Sequence, residues 1–420
     1  MAEGSSEKLD KTKWKIFKYS IGSLTLNIGD EEPIKLEPTL IQSLYIEKDY
    51  DKDFLPIIIM NILLSDELNY KIYANQDTSF FNLQVKGETD NDGRGDDSIV
   101  YDYINDKFIV LPTQSTPNIN QVELDNMKQS STYGEGQFTL QDVSTVRTYI
   151  LARKSDLTST KNIVNKVLSS SNMLTAVSYL MSKSGCSNIL MSPPDNSTAY
   201  KELILLPIPL CNQLKYLDSY YGIYKHGALF FFDLDRIYIV KKDANCTAYD
   251  KTEPKTVEIT VHGSDTGEFI EKGSWTDDKN RIGYIDISSA DFEISDKTST
   301  SNEYVGDNSL IINNNATNSD AISNNSGSFN IITTSTHNQY CTQERQLRLK
   351  ELSCVVTAML NNCDLRLLKP NKKFKINSSS SKANKQINSL FRLSSLKLSF
   401  VKNGNLFTTI VQATLKESDT

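Results

Sequence analysis

The sequence predicts an α+β protein in which two β-rich ends flank a helical middle. Alternating apolar and polar residues, rich in β-branched and aromatic types, fill roughly the first hundred residues and the last sixty. Between them, "NMLTAVSYLMSKSG" and the run from Leu210 carry apolar residues at helical spacing with capping residues at their ends. Repeats of the kind that build solenoids or fibres are not visible.

Taken in order, "WKIFKYSIGSLTLNI" reads as two β runs around a Gly22-Ser23 turn. "TLIQSLYIEKDY" alternates as a strand, and "PIIIMNILL" is a buried one. "SDELNYKIYANQD" is helical, with Ser65 or Asp66 as N-cap. "SFFNLQVKG" and "DYINDKFIVLP" resume the strand pattern on either side of an acidic loop, "ETDNDGRGDD", which lacks the glutamate that closes a calcium loop. Residues 113–136 are polar and proline-containing, as in a linker. Helices are expected from Thr160, in "TKNIVNKVLSS", and from Met173, with Asn172 as cap and Gly185 as terminator.

The densest aromatic stretch runs from residue 216 to 240, "YLDSYYGIYKHGALFFFDLDRIYIV". Leu210, Leu214, Leu217 and Tyr221 share a helical face, Pro209 suits the helix start and Gly222 its C-terminal cap. Ile223-Tyr224 and residues 228–232 then read as a hairpin around His226-Gly227, with 237–240 as a third strand. Adjacent strand residues face opposite sides, so Phe230, Phe231 and Phe232 require cover on both faces. Tyr216, Tyr224, Phe230, Phe231, Phe232 and Tyr238 are the structural or interface candidates. "KTVEITVHG" is a strand, and residues 313–330 form an Asn/Ser tract too poor in apolar residues to pack alone. "TQERQLRLKELSCVVTAMLNN" reads as the longest amphipathic helix, through Leu347, Leu349, Leu352, Val355, Val356 and Met359. "DLRLLKPNKKFKI" and "FRLSSLKLSFVKNGNLFTTIVQATL" close the chain as strands, with Asn403-Gly404 as a hairpin turn.

Chemistry has no visible seat. Walker, GxGxxG, GxSxG and HExxH motifs are lacking, and the three histidines, His226, His262 and His337, are scattered. Asp233-Leu234-Asp235 reads as a tight turn rather than a metal or acid pair. The expectation is therefore a protein that is not an enzyme, with catalytic, cofactor-binding and metal residues all absent. The net charge of −7 argues against a surface that coats nucleic acid. The run Glu47-Lys48-Asp49-Tyr50-Asp51-Lys52-Asp53 reads as a solvated loop, and Lys369 to Lys375 as the wet side of a strand. Six cysteines without CxxC spacing read as buried free thiols, and Asn-x-Ser/Thr triplets such as Asn196-Ser197-Thr198 as incidental. An apolar leader and a run long enough to span a bilayer are both missing, so the expectation is a soluble chain made in a reducing cytoplasm.

The block "NMLTAVSYLMSKSG", the proline-led Leu206-Pro207-Ile208-Pro209, Tyr216-Leu217-Asp218, and Tyr224 with Phe230 to Asp233 occur in the order seen in baseplate hub proteins of contractile-tailed bacteriophages. The sequence resembles that family, and its tail "LRLLKPNKKFKI…FRLSSLKLSFVKNGNLFTTIVQATL" looks like the closing strands of a tail-tube-like barrel, with Asn371 where the family usually has glycine. The resemblance implies two tail-tube-like antiparallel β-barrels and a helical connecting domain: a first barrel over 1–112, a helical connector over 113–205, hairpin strands contributing to the second barrel over 206–270, an Asn/Ser-rich insertion over 271–340, and the second barrel over 341–420. It implies a homotrimer in the virion tail baseplate, assembled in the host cytoplasm, that joins the tail tube or its initiator to the central spike beside the wedge proteins, with DNA passing through the lumen without specific binding. The rival readings are a fibre-like, receptor-binding adhesin and a metal-dependent carbohydrate-active enzyme using Asp233 and Asp235.

Overall fold

The computed structural model describes residues 17–89, 100–111, 145–185, 188–224, 227–234, 236–242, 254–261, 272–275, 282–287, 290–294, 354–361, 363–378, 390–403 and 406–417. The linker, the acidic glycine loop beyond Thr89, the Asn/Ser tract, all three histidines, Asp235 and the first half of the expected long helix lie outside them.

Eight strands close into an antiparallel barrel. They are β1 (Phe17–Asn27), β3 (Ile41–Asp49), β4 (Ile57–Leu64), β5 (Phe80–Thr89), β6 (Val100–Leu111), β7 (Thr145–Arg153), β19 (Leu390–Asn403) and β20 (Leu406–Glu417). The ring runs β19-β3-β4-β7-β6-β5-β1-β20 and is shut by the β19–β20 pairing. Short β2 (Ile34–Leu36) pairs with β1. Each strand alternates as the sequence does: in β4, Ile58, Met60, Ile62 and Leu64 are buried while Ile57 is exposed. Helix α1 (Asp66–Ala74) bridges β4 and β5, and the Ser65 side chain accepts from Leu68 N.

Gly22-Ser23 is a bulge, not a turn. Strand β1 is continuous, and its register against β5 shifts between Ile21 and Ser23. The inward set changes parity there, from Phe17, Tyr19 and Ile21 to Leu24 and Leu26. One extra residue keeps both apolar halves facing the core, which a turn would not do.

A second set of strands shares the closing hairpin. Here belong β13 (Thr256–Val261), β14 (Lys272–Trp275), β15 (Ile282–Ile287), β16 (Ala290–Ile294), β17 (Cys354–Asn361) and β18 (Lys373–Ser378). They run β14-β15-β13-β18 up to β19, and β17-β16 away from β20. Pairing β18 uses Leu390 and Phe391 of β19, whereas pairing β3 uses residues 395–401. On β20, Phe407 pairs with Tyr19 of β1 and residues 410–416 pair with β17. The hairpin is thus long enough to serve both strand sets along its length.

Several sequence expectations change here. The first barrel does not close within 1–112; it needs β7 and the C-terminal hairpin. Residues 354–361 are strand rather than helix, because Val356, Ala358 and Leu360 point inward at a spacing of two between β16 and β20. Residues 272–275, 282–287 and 290–294, within the expected insertion, belong to the large sheet.

The middle is mixed rather than helical. Helix α2 (Lys154–Lys161) follows β7, and the helix expected from Thr160 is instead β8 (Ile163–Ser171), where Ile163, Val164 and Val167 favour the extended chain. Strand β8 pairs with β10 (Tyr200–Pro209). Helix α3 (Met173–Ser184) forms as expected, with the Asn172 side chain accepting from Thr175 N at 2.9 Å and Gly185 in the left-handed region at φ 78°. Helix α4 (Leu210–Tyr220) begins one residue after Pro209 and ends at Gly222, φ 70°. The aromatic hairpin pairs β11 (Ala228–Phe232) with β12 (Ile237–Lys241), Asp233 N donating to the Arg236 carbonyl at 2.9 Å between them, whereas Ile223-Tyr224 is not a strand, and β9 (Ile189–Met191) completes a separate three-stranded sheet. Among the described residues between 206 and 270, where strands of a second barrel are expected, only β13 joins the large sheet.

Candidate functional site

The junction of barrel, middle unit and closing hairpin is built on the loop between β3 and β4. Strand β11 divides its phenylalanines across this junction. Phe231 enters the barrel core, its ring 4.4 Å from that of Tyr50, while Phe230 and Phe232 enter the core of the middle unit. Phe232 N donates to the Phe54 carbonyl at 2.8 Å, and the Phe54 ring stacks on Phe230 at 6.3 Å. Tyr238 sits in a small cluster with Leu229 and Val240 on the opposite face of that sheet. The Tyr224 hydroxyl lies 2.6 Å from the Ser192 carbonyl and 3.1 Å from that of Ile239. All five are buried within one chain. Tyr216 is half-buried on α4, its ring 4.7 Å from Tyr220, and burial pushes its hydroxyl up to about 12.

The acidic run before this loop is not a solvated loop throughout. Lys48 and Tyr50 continue the inward parity of Leu44 and Ile46, and Lys48 is only 3% exposed. Arg392 holds the Asp51 carboxylate through Nη1 at 2.8 Å and Nη2 at 3.2 Å, Ser394 Oγ donates at 2.7 Å and Lys416 Nζ at 2.8 Å. Lys242, just past β12, stands 3.8 Å away. Burial alone would raise this carboxyl, but the surrounding cations outweigh it and hold the group well below the usual carboxylate range.

Asp233 is likewise spoken for. Its carboxylate pairs with Lys48 and accepts from Leu234 N at 2.7 Å, which is turn geometry. Arg153 reaches the same turn, donating to the Leu234 carbonyl. Among the described residues, no group of acidic, histidine or cysteine side chains is arranged to hold a metal. Asn196, first residue of a glycosylation-type triplet, is buried; its Nδ2 caps α4 by donating to the carbonyls of Tyr221 at 2.9 Å and Gly222 at 2.7 Å. Lys372 of the basic patch is buried too and donates to the Pro254 carbonyl at 3.0 Å, whereas Lys375 is exposed. Cys363 is a buried free thiol and Cys211 a half-buried one.

A second junction, at Tyr19, went unread in the sequence. Its hydroxyl donates to the Cys363 carbonyl at 2.9 Å, accepts from Leu365 N at 2.9 Å and lies 2.8 Å from the Tyr101 hydroxyl. This ties the segment before β18 to the barrel. Gly87 lies between the two rings; a Cβ there would stand 2.8 Å from both Tyr19 and Tyr101. Arg366 pairs with buried Asp364 at 2.7 Å and covers the Tyr101 ring, 4.2 Å from its centroid.

Two outward faces keep apolar side chains in solvent. One crosses β4, β3, β19, β20 and β17 through Ile57, Tyr45, Val401, Ile410 and Met359. The other is the β8–β10 ribbon, where exposed Val167 and Ile204 are register partners and Ile163 follows on the same strand.

The model of the family described as Bacteriophage PBS1 gene 109 protein matches residues 14–418. The chain belongs to this family. Among curated proteins, none matches this gene 109 family member significantly. Solved structures that overlap it include a tail protein from Neisseria meningitidis MC58, with 11% identity, TM-score 0.45, and coverage of 95% of this chain and 97% of that one. Another is the 43 kDa tail protein of prophage MuSo2 from Shewanella oneidensis, at 8% identity, TM-score 0.44, covering 93% and 97%. A third is an E. coli component of the type VI secretion system, described as structurally similar to T4 tail proteins, at 8% identity, TM-score 0.41, covering 96% and 77%.

Proposed function

We propose that this gene 109 family member is a structural subunit of a phage tail baseplate hub, without catalytic turnover. The observation that carries the reading is the β19–β20 hairpin, which closes one eight-stranded barrel and is the centre of a second eight-strand run, β14-β15-β13-β18-β19-β20-β17-β16. A chain holding two barrel-like strand sets about one hairpin presents two tube-like units at a fixed angle. Three such chains present six, which matches a threefold spike to a sixfold tube. Membership of a phage protein family and the order of motifs from Met173 to Asp233 support the same reading.

In this proposal the second run closes into a barrel in the assembled particle, and copies meet through the outward apolar faces. The chain forms a ring in the virion tail, bound to the spike on one side and to the tube or its initiator on the other, with wedge proteins around it. An acidic chain suits a lumen that passes DNA without holding its phosphates, because such binding scales with Lys and Arg contacts. Asp233 is held by Lys48, which opposes its use as half of a catalytic carboxylate pair. Co-expression with the neighbouring tail proteins, followed by electron microscopy, tests the reading. Threefold rings joining spike to tube are expected; a peripheral, fibre-like location in the particle would overturn it.

A further inference from the structure

Beneath the β11–β12 turn, three carboxylates meet two cations. The barrel contributes Lys48 of β3, Asp106 of β6 and Arg153 at the end of β7; α2 contributes Asp156; the turn contributes Asp233 and the Leu234 carbonyl. Arg153 Nη1 donates to Asp106 Oδ2 at 3.2 Å and to the Leu234 carbonyl, and Nη2 donates to Asp156 Oδ1 at 2.5 Å. Ser155 Oγ lies 3.4 Å from the same Asp156 oxygen. Lys48 serves Asp233, its ammonium 5.7 Å from the Tyr103 ring centroid. The Asp156 side chain is 1% exposed, yet its second oxygen, Oδ2, is buried without a hydrogen-bond partner. Helix α4, packed on α2, buries the uncharged Gln213, and its Cys211 Sγ lies 3.8 Å from the Thr160 carbonyl. Arg236 belongs to the turn itself.

We propose that Asp156 is a proton-controlled latch between the middle unit and the barrel. A carboxylate oxygen buried without a donor is costly when ionised and becomes a hydroxyl donor when protonated. With Asp156 neutral, two cations face two carboxylates, and Arg153 is left to Asp106 and to the Leu234 carbonyl that seats the turn. Burial, reinforced by Asp233 and Asp106 and opposed by Arg153, pushes the Asp156 carboxyl up to about 6. The native state therefore binds more protons than the unfolded chain between the ordinary value of 3.8 and about 6. This group's contribution to stability falls as pH rises through that window, and the latch is looser above it. Asp51 is shifted in the opposite direction and titrates below the window.

The test is amide hydrogen exchange across residues 228–241 of the full chain, corrected for intrinsic rates, together with urea unfolding, at about pH 7.5 and about pH 5. The natural protein is expected to protect the turn more, and to unfold at higher urea, at the lower pH. Asp156→Asn, which places a donor at the orphan position, is expected to protect it equally at both. The chain also carries three histidines, a residue type whose unperturbed imidazole changes charge between pH 5 and 8, so the difference between the two proteins is the quantity read. If Asp156→Asn keeps the pH dependence of the natural chain, the proposal fails. If that variant does not fold, a carboxyl-carbon NMR titration of the natural protein decides: a midpoint near 6 upholds the latch, and one near 4 overturns it.

Discussion

At Asp51 a single carboxylate joins three parts of the chain: the barrel loop that carries it, the closing hairpin through Arg392, Ser394 and Lys416, and the middle unit through Lys242. Removing one member of a buried ion group leaves the others uncompensated, so Asp51→Ala is expected to cost about 3–5 kcal/mol in urea unfolding. Because this carboxyl is held below its ordinary value of 3.8, its stabilisation is complete above that pH and is lost as pH falls further. Acid unfolding followed by circular dichroism should show that loss in the natural chain and a smaller acid-dependent loss in Asp51→Asn. Phe231 is the apolar counterpart. Fully buried against Tyr50, its truncation to alanine is expected to cost about 3–5 kcal/mol, with the aromatic signal of Tyr50 changed in the near-ultraviolet.

At the scale of elements, the β19–β20 hairpin and the C-terminal end of α4 are the places where small changes have large consequences. Without residues 390–417, β3 loses its partner on one side and β1 loses its contact with β20. The barrel would then present open strand edges, which pair with other chains. A chain truncated after residue 389 is expected to aggregate, measured by sedimentation of the soluble fraction. Helix α4 ends at Gly222 with φ 70°, where Gly222 N donates to the Leu217 carbonyl at 3.0 Å. Gly222→Ala forces a side chain into the left-handed region and is expected to cost about 1–2 kcal/mol in thermal or urea unfolding. The helix, its proline start and its glycine stop were all legible from residues 209–222, because capping is local chemistry. The neighbouring β8 was not: its apolar residues fit a helical face, and only pairing with β10 made the extended form the one that buries Leu168.

For the whole molecule, the outward apolar faces separate folding from assembly. Tyr45 and Ile410 are roughly two-fifths exposed, so charges there remove little packing within the chain. Tyr45→Glu with Ile410→Glu is expected to leave the far-ultraviolet spectrum and urea midpoint within about 0.5 kcal/mol of the natural protein. In co-expression with tail partners the same variant is expected to lose ring assembly, read by light scattering and electron microscopy. Retained rings would move the subunit contact elsewhere, with the β8–β10 ribbon next in line.

What the sequence determined by itself was whatever depends on near neighbours: the alternation of β3 to β6, the caps of α1, α3 and α4, the two-faced phenylalanine strand, and the family resemblance of the motifs from Met173 to Asp233. Even the burial of Lys48 was written there, since it falls in step with Leu44 and Ile46, although its charge concealed it. The tertiary structure alone decided that strands from both ends close one barrel, that Gly22-Ser23 bulges rather than turns, and that residues 354–361 extend between β16 and β20. It also brought Asp51 to Arg392 and Asp233 to Lys48. These outcomes depend on hydrogen bonds and ion pairs between residues far apart in the chain, such as Ser23 with Gln84 across the bulge and Asp51 with Arg392 at the junction. Such partners leave no local period in the chain, because a backbone edge or a buried charge specifies only that a partner is needed, and the fold chooses which one.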